Sequence, residues 1–172
     1  MKKLLISAGI LSSLFACHTN ASDGQINFTG TITDTACTVT NNTTSPLSVI
    51  LGTVSSKAFI ASGSTVAPTK FQIALTGCPD TMKTAAVKFD GISANSDNSV
   101  IKLTAGSGVA ENVGVQIVDS TGKVVPLFTN SSAYNLTGGA NNLQFVARYI
   151  SLADTVKAGK ADSTAQFTIV YN

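Results

Sequence analysis

The chain has 172 residues, a formal net charge of +2, 44% hydrophobic and only 12% charged residues. That size corresponds to one domain, or one domain with a tail, and the composition holds enough apolar residues for a core. A single Glu, a single Arg and no Trp stand beside abundant Thr, Ser, Asn, Gly and Val, which disfavours a helical bundle, a coiled coil and a doubly wound α/β enzyme.

The first residues read as an export address. Met1-Lys2-Lys3 is basic, residues 4–16 are mostly apolar and uncharged, and small or polar residues follow to Ala21. This is the layout of a secretory signal peptide, with an apolar run too short to span a bilayer. Cleavage after Ala21 is expected. A second arrangement is a lipoprotein box at Leu14-Phe15-Ala16-Cys17, although Phe15 is bulky for its place in such a box. Removal of residues 1–21 leaves 9 basic and 9 acidic residues and no histidine. Cys37 and Cys78 then remain, and an exported chain with two cysteines predicts one disulfide; two free buried thiols is the other arrangement. A bridge closing this loop is worth about 4 kcal/mol in the chain-entropy model.

Period-two alternation dominates the rest. Ile26, Phe28, Gly30 and Ile32 share one face of a first extended segment, and Gln25, Asn27, Thr29, Thr31 and Thr33 the other. Further extended runs are expected at Cys37-Thr38-Val39, Val49-Ile50-Leu51, Phe71 to Cys78, Val87 to Phe89, Ile101 to Leu103, Val113 to Ile117, Val124 to Phe128, Leu143 to Tyr149 and Phe167 to Tyr171. Turn-forming clusters separate them at residues 41–46, 95–98, 119–122 and 137–142. Many short strands at turn-like spacing predict an all-β sandwich. The single weak helical pattern is Val109-Ala110-Glu111-Asn112.

Motifs with chemical overtones carry little. Ser99-Val100-Ile101-Lys102 and Ser96-Asp97-Asn98 match S-x-x-K and S-D-N of penicillin-recognising enzymes, but they abut in the wrong order and no K-T-G accompanies them. The spacing of Asp90 and Asp97 does not fit a calcium loop. Without histidine there is no His-based triad, and two distant cysteines make no zinc site. No enzyme activity, no metal and no cofactor are expected. A neutral chain also lacks the basic footprint of a nucleic-acid binder.

Taken in order, these segments resemble the subunits of fimbriae (pili) assembled by the bacterial chaperone–usher pathway, type 1-like ones in particular. Gly24-Gln25-Ile26-Asn27-Phe28-Thr29-Gly30-Thr31-Ile32 is similar to the family's N-terminal extension. Cys37-Thr38-Val39 is similar to its first cysteine segment, Leu51-Gly52-Thr53-Val54 to the element after it, and Phe71-Gln72-Ile73-Ala74-Leu75-Thr76-Gly77-Cys78 to the strand reaching the second cysteine. Ala158-Gly159-Lys160-Ala161 and the penultimate Tyr171 match later patterns. The resemblance implies an incomplete immunoglobulin-like sandwich, completed by a donor strand from a neighbouring subunit. It implies a signal peptide (1–21), a donor-strand extension (22–34) and a pilin domain (35–172). It implies a periplasmic chaperone, an outer-membrane usher and other fimbrial subunits as partners, with export through the periplasm to a surface fimbrium that supports adhesion. Ile26, Phe28, Gly30 and Ile32 would be the donated face, and Phe167, Ile169 and Tyr171 a groove edge that the chaperone contacts. A glycan-binding surface module is the other function weighed. An ordinary first strand of the chain's own sandwich is the other reading of residues 25–33, which pattern alone does not separate from donation.

The intact mass of the exported protein tests the address: it should begin at Ser22 and carry no lipid, whereas a lipidated Cys17 at the N-terminus would contradict that.

Overall fold

The computed structural model describes residues 24–30, 32 and 36–171. The expected signal peptide with Cys17, and residues 22, 23, 31, 33–35 and 172, lie outside the described residues. The chain divides into two units, residues 1–32 and residues 33–172.

In the first unit, residues 24–30 adopt no helix or strand. Ile26, Phe28 and Ile32 are 77%, 91% and 101% exposed.

The second unit is built from antiparallel strands: β1 (Thr38–Val39), β2 (Thr65–Cys78), β3 (Thr84–Asp90), β4 (Val113–Asp119), β5 (Tyr134–Asn135), β6 (Gly139–Ser151) and β7 (Gln166–Tyr171). One sheet runs β1-β2-β6-β4 and the other β5-β3-β7. One turn of 3-10 helix, Ser56–Ala58, is the only helical element among the described residues, and no helix there is long and apolar enough to cross a membrane.

The alternation read from the sequence is the alternation of the pleat. Along β6, Leu143, Phe145, Ala147 and Tyr149 are buried while Gln144 faces outward and donates to Gln72 of β2. Phe145 is the centre of the core. Its ring stacks on Phe71 at 5.6 Å, meets Phe89 of the other sheet edge-on at 5.2 Å, and lies 5.5 Å from Tyr134. The two sheets are thereby joined through aromatic contacts of favoured geometry.

Several expected runs take another form. Residues 49–51 join no strand, and Ile101 and Val124 make only isolated bridges to β4. These bridges cover β4's free edge: Ile101 exchanges backbone hydrogen bonds with Val115 at 2.7 and 3.0 Å, and the Val125 N–H donates to Ile117. β4 is buried along its whole length. Gly114 permits that approach, since a Cβ there would stand 2.7 Å from the Ile101 carbonyl oxygen. Residues 109–112 are not helical; they bridge to Lys160 and Lys157 instead. β2 begins six residues before the expected Phe71, passing a register shift at Ala67 and Pro68, where Ala67 has φ 54°.

The turn after β4 is organised by Asp119, which is 2% exposed. Its carboxylate accepts hydrogen bonds from the Thr121 N–H and hydroxyl, the Lys123 N–H and the Ser132 N–H. Burial pushes its pKa up, but the hydrogen bonds from Thr121 and Ser132 outweigh this and hold it at about 2. A depressed carboxylate stabilises the fold above its unfolded pKa and loses that contribution as pH falls through the folded value. Urea unfolding should therefore show about 2 kcal/mol of stability lost between pH 4 and pH 2. Asp119→Ala should remove that acid-sensitive part already at neutral pH. An unchanged pH dependence in the variant would contradict this assignment.

Candidate functional site: an open groove between two sheet edges

β7 is an edge strand. One side pairs with β3 from Ala85↔Tyr171 to Asp90↔Gln166, and among the described residues no strand pairs with the other side. Phe167, Ile169 and Tyr171 are half-buried on its inner face. The same alternation continues upstream, with Ala161, Ser163 and Ala165 half-buried and Asp162 and Thr164 exposed.

The facing edge belongs to β1. It pairs with β2 over only two residues, Thr38↔Thr76 and Val39↔Leu75. The Thr40 N–H and hydroxyl then both donate to the Ala74 carbonyl, and the Asn41 side-chain oxygen accepts from the Ala74 N–H at 2.9 Å. A side chain thus takes over from the backbone, and the chain leaves the ladder. Residues 46–52 continue beside the opening. Val49 and Leu51 pack inward on the core, while Ile50 is 81% exposed.

Between these edges lies a groove of about 1080 Å³. Its floor is Ile73, Phe89, Val115, Ile117, Ala147 and Tyr149. One wall is Val39 with residues 46–52, and the other is residues 161–167 with Ile169. Apolar floor plus a free strand edge is the chemistry of strand addition: main-chain pairing along the edge, alternate side chains into the floor. Among the described residues no group of three or more His, Cys, Asp or Glu is placed to hold a metal.

The open edges are tied at one end. Cys37 and Cys78 form a disulfide that fastens the start of β1 to the end of β2. The Tyr171 hydroxyl donates to the Cys37 carbonyl oxygen at 3.5 Å, and burial raises its pKa.

Of the residues singled out in the sequence, Phe167 and Ile169 line the groove, and Tyr171 fastens its rim. The facing wall and the floor residues Val115, Ile117 and Tyr149 carry no site signal in the sequence; of that wall, the extended runs at Cys37-Thr38-Val39 and Val49-Ile50-Leu51 and the element Leu51-Gly52-Thr53-Val54 are legible. In residues 24–32 the apolar face is exposed, and Gly30 has neither a left-handed φ nor any atom within 4 Å of where a Cβ would be. Among the described residues, therefore, nothing requires glycine at position 30.

A family model described as fimbrial protein matches residues 26–172. The chain is 36% identical over 181 residues to a type-1 fimbrial protein, C chain, of Escherichia coli, covering 99% of each. It is similar to the solved structure of an antigen and type I fimbria protein of Burkholderia pseudomallei, with 37% identity, a TM-score of 0.61, and coverage of 85% of this chain and 96% of that one. A chaperone–usher pilus structure shares the fold at a TM-score of 0.66 and 22% identity, covering 88% of this chain and 96% of that one.

Replacing both Cys37 and Cys78 by Ser should cost about 4 kcal/mol of stability, because the bridge joins residues 41 apart. Chemical denaturation of the oxidised protein against the double variant checks this, and a loss below 1 kcal/mol would contradict it.

Proposed function

The chain belongs to the fimbrial protein family and is a structural subunit of a fimbria, and from that premise we propose that residues 22–34 are the strand that completes the groove of the next subunit. The observation that carries this reading is the fit between a groove lacking one strand and an exposed segment with one apolar face. Residues 24–32 and the groove wall of residues 161–169, when fully extended, each span about 30 Å. Burying Ile26, Phe28 and Ile32 would contribute roughly 5–9 kcal/mol before the costs of association and ordering. Gly30 meets a shallow part of the floor, which gives the glycine a steric reason.

Residues 1–21 are the export signal, and residues 35–172 the pilin domain. An open groove in transit exposes apolar surface and unpaired backbone, an aggregation hazard. A periplasmic chaperone covers it by lending a strand along Phe167, Ile169 and Tyr171. An outer-membrane usher then exchanges that strand for the next subunit's extension. Lending and exchange of the strand are non-covalent steps, carried by main-chain pairing and apolar burial.

Deleting residues 22–32 should leave a body that accepts a synthetic peptide of residues 22–34 yet forms no fibres. Gly30→Leu should slow polymerisation at least tenfold without lowering export. Normal fibres from the deletion variant, seen by electron microscopy, would refute donation.

A further inference from the structure

Pairing of β7 with β3 stops at Gln166↔Asp90, yet residues 161–165 still line the groove. This part of the wall is held by a seam to residues 102–112 and by the Tyr149 hydroxyl of the floor, which donates to the Ala161 carbonyl at 3.5 Å. Glu111 and Lys157 exchange two backbone hydrogen bonds of 3.2 Å, and their side chains form an ion pair at 2.5 Å. The Ala110 N–H donates to the Lys160 carbonyl at 2.9 Å, and the Lys160 N–H donates to the Gly108 carbonyl at 2.8 Å. Further along, the Thr104 N–H donates to the Asp162 carbonyl, and the Ser163 hydroxyl donates to the Lys102 carbonyl.

Gly159 sits at a close approach of the two segments. A Cβ there would stand 2.5 Å from the Ala110 nitrogen and 2.6 Å from the Gly108 carbonyl oxygen. Both are backbone atoms, so no side chain can rotate away to make room. Its φ lies outside the left-handed region, so close packing alone calls for glycine.

We infer that this seam is a clamp that presets the groove wall at residues 161–165, making Gly159 and the Glu111–Lys157 pair positioning residues for strand uptake. The inference rests on the donor-strand reading. A wall already in place spares the incoming strand the cost of ordering it. The ion pair is exposed, with 68% and 61% of the two side chains accessible, and exposed pairs add little global stability. Its effect therefore belongs in the rate of uptake, not in the melting temperature.

The test uses the full exported chain with Phe28→Asp and Ile32→Asp, so that its own extension does not compete. The probe is a fluorescent peptide of residues 22–34. Gly159→Ala should slow association at least tenfold. Glu111→Lys and Lys157→Glu should each slow it severalfold, and the two together should restore it to within twofold, with melting temperatures of the peptide-filled charge variants unchanged. Peptides carrying Ile26→Ala, Phe28→Ala or Ile32→Ala should differ in their sensitivity to the clamp, because residues 161–165 form only part of the wall along which the strand would lie. Wild-type rates in the single charge variants, no rescue by the double swap, or an equal loss for all three peptides would overturn the clamp. Should Gly159→Ala fail to fold, the charge variants still decide. Refusal of the peptide by the chain with an intact clamp would instead refute donor-strand uptake itself, and the clamp's role with it.

Discussion

Half of the backbone donors and acceptors of an edge strand point away from its one partner, and an apolar floor beside them sharpens the cost of leaving them bare. β7 stands in this position beside Ile117, Ala147 and Tyr149. A partner for that edge must be extended and must offer apolar side chains on alternate residues; among the described residues no strand pairs there. Two features of the described residues frame that opening. The disulfide and the Tyr171 hydroxyl hold one end of the frame, and the seam around Gly159 holds the wall where β3 no longer reaches.

A core can exist without the last strand because it is concentrated elsewhere. Phe145 gathers Phe71, Phe89 and Tyr134 around it, and β4 is covered on its free edge by Ile101 and Val125. The body thus has a closed half and an open half. Charge does not oppose close packing of copies, since residues 22–172 carry 9 basic and 9 acidic residues.

The strands whose side chains face one continuous core were legible in the sequence. β6 and β7 follow their apolar alternation closely, as does the second half of β2, because burial of one face imposes a period of two. Residues 49–51 show the same period without forming a ladder: Val49 and Leu51 pack on the core and Ile50 is exposed. Ile101 and Val124 read as strands but form single bridges against β4. The opening of β2 was hidden by Ala67-Pro68, whose shift breaks the pattern. The groove itself had no sequence signal of its own: a vacancy has no residues, and only resemblance to fimbrial subunits placed it. Gly159 was legible as a family pattern, but its reason lies in backbone atoms about fifty residues earlier in the chain.

The most direct test places a photo-crosslinking phenylalanine analogue at Phe28 in assembled fibres and maps the adducts by mass spectrometry. The account requires adducts between different chains, on floor or wall residues such as Ile117, Tyr149 or Phe167. Adducts confined to the same chain, or scattered over surfaces away from the groove, would contradict it.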